Sequence, residues 1–278
     1  MNKIGLKKLI IYFFATIWGI MTLYPLIFTI LSSFKNNDEI FSAASSVFQL
    51  PKNISWDNYI AAIEEANILR SLVNSVFISI CGTIVVIVSA AMVAFVVTRL
   101  RFKGSKYIAL YFALGLMIPV YSTLIPLVKM VNRIGGSNSY PTLIIIYAAF
   151  NLPLAVLLLI GQMQKIDKSM DESAILDGCS TVRLFVNIIF PLSKPTISAI
   201  GIITYLYIYN DLLFGVMLIS DASKYTVAVA MQSFVGAKVT SYGPIFASII
   251  IAIIPMLIIY MLFQTQIEKG LAAGAIKG

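Results

Sequence analysis

Histidine is absent from this sequence of 278 residues, and cysteine occurs only twice. Without histidine there is no Ser-His-Asp arrangement, no HExxH metalloprotease helix and little from which to build a zinc site. The two thiols are Cys81, inside a long apolar run, and Cys179, in a polar loop. That separation predicts that they do not pair. Charge is scarce as well: 12% of residues are charged and 59% are hydrophobic, whereas a soluble domain carries roughly 25% charged residues. So little polar side chain cannot cover a soluble surface.

Apolar runs take the place of the missing charge. Residues 9–31, 71–98, 107–128, 134–164 and 239–267 contain no Asp, Glu, Lys or Arg. Each exceeds the roughly 20 residues that a membrane-spanning helix needs. A sixth run, between Lys194 and Ile219, is interrupted only by Asp211. The pattern predicts an all-α integral membrane protein, one domain over 1–278. Its six transmembrane helices fall at about 9–31, 72–98, 107–129, 141–162, 194–218 and 243–265. Lys3, Lys7 and Lys8 before the first run imitate a signal peptide. The run is longer than the usual 7–15 residues, and no small-residue cleavage site follows, so it is predicted to stay as the first span.

The net charge of +8 suggests nucleic acid until the cations are placed. On the six-span layout, 13 of the 20 Lys and Arg fall on one side. The positive-inside rule then puts both termini, the 99–106 turn and the 163–193 loop in the cytoplasm of a bacterial cell membrane. Segments 32–70, 130–140 and 219–241 are external. Arg99, Arg101, Lys103 and Lys106 in "RLRFKGSK" mark orientation at the lipid headgroups, and no nucleic-acid partner is expected. In the first external segment Ser55 is placed to cap a helix on which Tyr59, Ile63 and Ala66 share a face. It is read as an amphipathic helix on the outer surface or as a plain connector.

Two stretches concentrate polarity. The first is "KSMDESAILDGCSTVRLFVNIIFPLSKP", residues 168–195. Ser169 and Glu172 form an S-x-x-E capping box, which predicts a helix over 170–177. Gly178 is placed to end it with a left-handed cap. Thr181 caps a second helix running to Phe190, and Pro191 and Pro195 lead into the fifth span. Acids beside apolar side chains on so short a helix suit docking on a soluble partner. The local pattern equally admits a connector in which Glu172 only caps.

The second stretch lies in the fifth span: Thr204, Tyr205, Tyr207, Tyr209, Asn210 and Asp211. An ionisable group inside a span is a functional candidate. Sixteen residues beyond Pro195, at 1.5 Å each, put Asp211 about 24 Å along the helix. That is near the outer boundary, where it would serve as a gate hydrogen-bonder. Tyr205 is nearer the midplane. Tyrosine rings suit sugars, by stacking on C–H faces and hydrogen-bonding hydroxyls, and equally suit packing between helices. Asn74, Ser75 and Asn151 either line a path or join helices.

Spacing adds a resemblance. "ESAILDG", nine residues and then "IIFP" resembles the E-A-A-x-x-x-G-x(9)-I-x-L-P loop of membrane subunits of ATP-binding-cassette importers. The matching positions are Glu172, Ser173, Ala174, Gly178, Ile188 and Pro191, with Ser173 for the first Ala and Phe190 for the Leu. "SWDNY" before "LVNSVFIS", "VTRLRFKG", "YIYNDLLFG" and "QTQIEKGLAAGAIKG" resemble, in order, further segments of carbohydrate-importer permeases of the maltose-permease type. Tyr209 stands where that family usually has Trp.

The resemblance implies a permease for a sugar or oligosaccharide, working with a second homologous permease, two ATP-binding subunits and an extracytoplasmic solute-binding protein. It implies that the 169–178 helix (Glu172, Ser173, Ala174, Asp177 and Gly178) couples to the ATPase. It further implies that the 266–278 tail, through Gly270, Gly274 and Lys277, reaches the ATPase subunits. Tyr205, Tyr209, Asn210 and Asp211 become candidates for the translocation path. No G-x-x-x-x-G-K-[ST] loop occurs, and "GLAAGAIKG" lacks its spacing, so this chain is expected to be no enzyme. No cofactor is expected either, ATP being bound by the partner subunits. Glycerol phosphate or another polar solute is an alternative cargo. A self-sufficient secondary transporter would need its own ion site, for which one Asp at the outer boundary is poor material.

The layout is testable with single cysteines in a Cys-free background. Lys103→Cys is expected to react with impermeant thiol reagents only from the cytoplasmic face; exclusive external labelling would overturn the orientation.

Overall fold

The computed structural model describes residues 6–42, 49–100, 102–236 and 240–275, with side chains over 8–264 of that range. The described residues are helical, with no strand and one isolated antiparallel bridge, Val235–Thr240. Four helices are long and apolar enough to cross a bilayer: α1 (Leu6–Ser32), α4 (Ile68–Arg99), α7 (Tyr140–Met163) and α14 (Tyr242–Ala275). Two bent helix pairs bring the number of candidate spans to at most six. The chain divides into two compact units, Met1–Arg70 with Ala230–Ile254, and Ser71–Val229 with Pro255–Gly278.

In the first unit, polar side chains tie loops to helix ends. Beyond α1, the Asn58 amide donates to the carbonyls of Ser33 and Lys35 at 2.8 and 2.9 Å. Asn58 sits on α3 (Asp57–Glu64). The Ser55 hydroxyl accepts the Asp57 N–H at 3.1 Å, so it does engage this helix, although Trp56 occupies the cap position. The helix stops at Glu64, short of Ala66. Trp56 and Tyr59 pack against Phe34, with ring centroids 5.2 and 5.3 Å away.

In the second unit, two predicted spans are broken. The span expected over 107–129 is α5 (Ser105–Gly115) and α6 (Val120–Arg133), bent by 96°. Pro119 is the cause: it has no N–H to continue the ladder, and it pushes Ile118 out of helical geometry. The span expected over 194–218 is α11 (Lys194–Tyr209), a break at 210–212, and α12 (Leu213–Leu218). Prolines inside α7 and α14 do not break them; such residues are tolerated where neighbouring groups satisfy the freed carbonyls.

One apolar core of this unit joins Val86, Ala90, Ala94 and Phe95 of α4, Val156, Leu159 and Met163 of α7, and Ile200 of α11. The small side chains of α4 let neighbouring backbones approach closely. At the other end of α4, Asn74 and Ser75 bind backbone. The Asn74 amide donates to Ser223 and Tyr225 carbonyls at 3.1 and 2.9 Å, and the Ser75 hydroxyl accepts the Val227 N–H at 2.8 Å. These two residues anchor the segment after α12.

A second clasp holds the same segment. Asn138 adopts a left-handed backbone, φ 56°, which asparagine tolerates better than most residues. Its side-chain carbonyl accepts the N–H groups of Ser220 and Asp221 at 2.7 and 2.9 Å. Its backbone carbonyl accepts the Lys224 ammonium at 2.8 Å. Asn138→Gly keeps the backbone freedom and removes the acceptor. It is expected to cost the segment about 1–3 kcal/mol, read as faster hydrogen exchange at the Ser220 and Asp221 amides with α7 amides unchanged. Unchanged exchange at both would show that the side chain does not hold the segment.

Candidate functional site

The polar loop folds as helix α8 (Lys168–Leu176). Its cap is Asp167, not Ser169: the Asp167 carboxylate accepts the Ser169 N–H at 3.0 Å, and the helix begins two residues before the predicted start. Both residues suit a cap; Asp167 takes the position because the turn leaving α7 ends there. The Ser169 backbone N–H, and then its hydroxyl, hold the Asp167 carboxyl below its ordinary range, against a small opposing effect of burial.

The C-terminal prediction holds. Gly178 has φ 77°. The Cys179 N–H donates to Ala174 O at 2.9 Å and the Gly178 N–H to Ile175 O at 3.0 Å, the paired bonds of a Schellman cap. A Cβ on Gly178 would meet nothing within 4 Å, so only the backbone angle demands glycine.

The faces of α8 divide cleanly. Ala174 is buried in the core with Met163, Leu184 and Ile189. Asp171 also turns inward. Glu172, Ser173, Ile175, Leu176 and Asp177 face out, and Leu176 is 88% exposed. With Asp167 capping, Glu172 is left without a capping role; it makes no hydrogen bond or ion pair among the described residues. Ala174, by contrast, seats α8 on its own protein.

The next helix also departs from expectation. Ser180, not Thr181, caps it, accepting the Arg183 N–H. It runs as α9 (Thr181–Arg183), a π-helical stretch Leu184–Ile189 and α10 (Phe190–Leu192), then bends 74° into α11. The Phe190 N–H reaches back five residues to Phe185 O, just before Pro191, which has no N–H to give.

A second group of residues surrounds the break after α11. The Asp211 carboxylate accepts the Tyr147 hydroxyl at 2.8 Å and the Phe214 and Gly215 N–H groups at 3.1 and 3.3 Å. It thereby caps α12. Phe214 stacks on Phe150 at 5.4 Å. Beside the break lies a cavity of about 560 Å³, bordered by Tyr121, Leu124, Tyr207, Asn210 and Asp211. Tyr205 and Tyr209 are not there: they stack on each other at 5.7 Å and are buried. Tyr205 instead borders a separate apolar cavity with Thr83 and Ile87.

Of the four path candidates, therefore, Asn210 and Asp211 share a cavity and the two tyrosines do not. Tyr121 and Tyr147 escaped sequence reading. Both sit in charge-free runs; only the need of Asp211 for a donor pointed to a residue such as Tyr147. The tail candidates are less visible. Helix α14 continues through Gly270 and Gly274 to Ala275, their surroundings are not described, and Lys277 lies outside the described residues.

The family profile described as binding-protein-dependent transport system inner membrane component matches residues 82–273. The diacetylchitobiose uptake system permease protein NgcG of Streptomyces coelicolor is 30% identical over 263 residues, covering 94% of this chain and 86% of that protein. The trehalose/maltose transport system permease protein MalG of Thermococcus litoralis is 29% identical, covering all of both chains. A chain of a bacterial ABC transporter that imports the acidic polysaccharide alginate superposes with a TM-score of 0.80 at 20% identity. The match covers 95% of this chain and 98% of that one, a likeness of fold.

The cap on α12 can be tested by a double-mutant cycle. Tyr147→Phe and Asp211→Asn are each expected to destabilise the detergent-solubilised protein by about 1–3 kcal/mol, read by thermal unfolding. The double variant should cost clearly less than the sum, because both changes remove one interaction. Full additivity would mean that the hydroxyl and carboxylate do not act together.

Proposed function

The chain belongs to the binding-protein-dependent transport system inner membrane components, and from that premise we propose that it is one membrane subunit of an importer for a sugar or oligosaccharide. It is a multi-pass protein of the cell membrane. Relatives named for diacetylchitobiose, trehalose/maltose and multiple sugar-binding transport systems support this cargo class. In this reading six spans leave both termini in the cytoplasm. A second permease completes the path, a solute-binding protein delivers cargo outside, and two ATP-binding subunits hydrolyse ATP below. The chain itself holds no cofactor and catalyses no reaction.

The observation that carries the reading is the outward face of α8: Glu172, with no hydrogen bond or ion pair among the described residues, beside a nearly bare Leu176. Ile175 beside it is 60% exposed, and a contiguous exposed apolar patch rimmed by polar residues marks an interaction site. Glu172, Ser173, Leu176 and Asp177 meet the ATPase, Ala174 seats the helix, and Gly178 turns the chain back. In the membrane, Asn210 and Asp211 border the path, and Tyr205 and Tyr209 stiffen α11 behind it. The tail, through Gly270, Gly274 and Lys277, is assigned to the ATPase subunits by family likeness alone.

Glu172→Gln separates the docking role from a connector. If Glu172 meets a cation on the ATPase, its charged hydrogen bond contributes about 1.5–3 kcal/mol, roughly a tenfold to hundredfold effect on docking. Gly178→Val is expected to be worse, since a β-branched residue resists a positive φ. Both variants should reach the membrane in ordinary amount. Both should lose ATP hydrolysis stimulated by loaded binding protein in reconstituted vesicles. Wild-type stimulation in both would make the loop a connector.

A further inference from the structure

By charge alone Arg99 belongs with Arg101, Lys103 and Lys106 at the lipid headgroups. Its position is different. Arg99 is the last residue of α4, and its side chain is only 3% exposed. Its Nε lies 3.0 Å from Oδ2 of Asp171, whose own side chain is 13% exposed. One terminal nitrogen, Nη2, donates to the backbone carbonyl of Ile166 at 3.0 Å. These partners flank Asp167, the cap of α8. One guanidinium from the end of α4 thus grips the first turn of α8 on both sides of its cap.

Such a contact is costly to build. A buried guanidinium gives up its hydration, and removing one partner leaves the other charge stranded. The contact with Asp171 is an ion pair without hydrogen-bond alignment, whereas Nη2 makes an aligned bond to Ile166. The broad guanidinium reaches both partners together, which the single ammonium of lysine does less well. Neighbouring acids are also used oppositely: Asp171 points in to Arg99, whereas Glu172 points out. Without the pair, α8 would be held by Ala174 and by its two covalent ends, and would be able to rock.

We propose that Arg99 and Asp171 are positioning residues for coupling: their ion pair fixes the first turn of α8 to the end of α4. Movement of α8 then reaches α4 directly as well as passing along the chain into α11. The proposal rests on the reading of α8 as the helix that docks on the ATPase subunits. Neither Arg99 nor Asp171 touches the ATPase or the cargo; they act through α8.

The test uses the assembled complex in vesicles, carrying Arg99→Glu, Asp171→Arg, both together, or Arg99→Lys. Two quantities are read: ATPase subunit co-purifying with the permease, and the ratio of hydrolysis with and without loaded binding protein. Each single reversal is expected to lower that ratio at least fivefold, with ordinary co-purification. The double exchange should restore it to within twofold of wild type, and Arg99→Lys should fall between. A wild-type ratio in both single reversals, or a double exchange no better than the singles, overturns the proposal. If a reversal does not assemble, Arg99→Gln and Asp171→Asn carry the same comparison. Leu176→Asp tests the underlying reading separately. It should abolish co-purification, and if it does not, the docking role of α8 falls whatever the charge pair does.

Discussion

Inside a bilayer no water is at hand for a backbone N–H that has lost its partner. An interruption of a helix at membrane depth must therefore be satisfied by the protein itself or open onto a cavity, and the side chains that satisfy it fix much of the structure. The break at 210–212 is the sharpest case. Asp211 accepts the first free amides of α12, and Tyr147 from α7 holds the carboxylate in place. The break in turn leaves Asn210 and Tyr207 at the edge of a cavity whose other walls, Val120, Leu124 and Leu213 among them, are largely apolar. The few polar groups on its edge are thus partly a consequence of having broken the helix. In the proposed path, the residue that repairs the backbone, Asp211, is also one of those offered to a passing solute.

Local geometry was legible in the sequence where one residue type has one use. Gly178 was expected in a left-handed cap and is found there, because no other residue takes that backbone cheaply. The long spans were legible because charge is excluded from them over twenty residues or more. The start of α8 was harder. Asp167 and Ser169 are both good caps, and the choice depends on where α7 releases the chain and on the pairing of Asp171 with Arg99. No local pattern contains that second fact. Arg99 was misplaced for a related reason: a cation in a basic turn has the same sequence signature whether it faces headgroups or turns inward to a distant carboxylate. The breaks were legible only in part. Pro119 ends a helix, whereas Pro25, Pro153 and Pro255 sit inside helices, so proline alone does not separate a kink from a break.

The path candidates divide for a geometric reason. Tyr205, Tyr207 and Tyr209 alternate along α11, and a helix turns about 100° per residue. The first and last of the three are one turn apart and share a face, so they stack on each other. Tyr207 is left pointing elsewhere, toward Asn210 and the cavity. Composition marked this helix as suited to a sugar, but the helical period decides which ring is available. An exposed ring beside an amide and a carboxylate offers both a stacking surface and hydrogen-bond partners; two rings stacked in the interior offer stiffness.

Stiffness matters because of what lies between α8 and α11. After the Schellman turn the chain enters α9, passes through π-helical geometry at Leu184–Ile189, and bends at Ser193. A π stretch carries an extra residue per turn and is weaker per residue than an α-helix, and such stretches often occur at functional sites. Here it is not loose: Leu184 and Ile189 are buried with Ala174 and Met163, and the Ser193 hydroxyl closes on Ile189 O at 2.8 Å. A displacement of α8 therefore meets two routes. One runs through packed side chains and the bend into α11, whose far end is the break capped by Asp211. The other runs through Arg99 into α4, whose opposite end holds the segment after α12 by Asn74 and Ser75. Both routes finish on either side of the same short helix, α12. A push shared by α4 and α11 would carry that helix along, whereas a push on one alone would shear the cap at Asp211. On the proposed coupling, moving the two long helices together is the displacement that keeps the broken backbone satisfied.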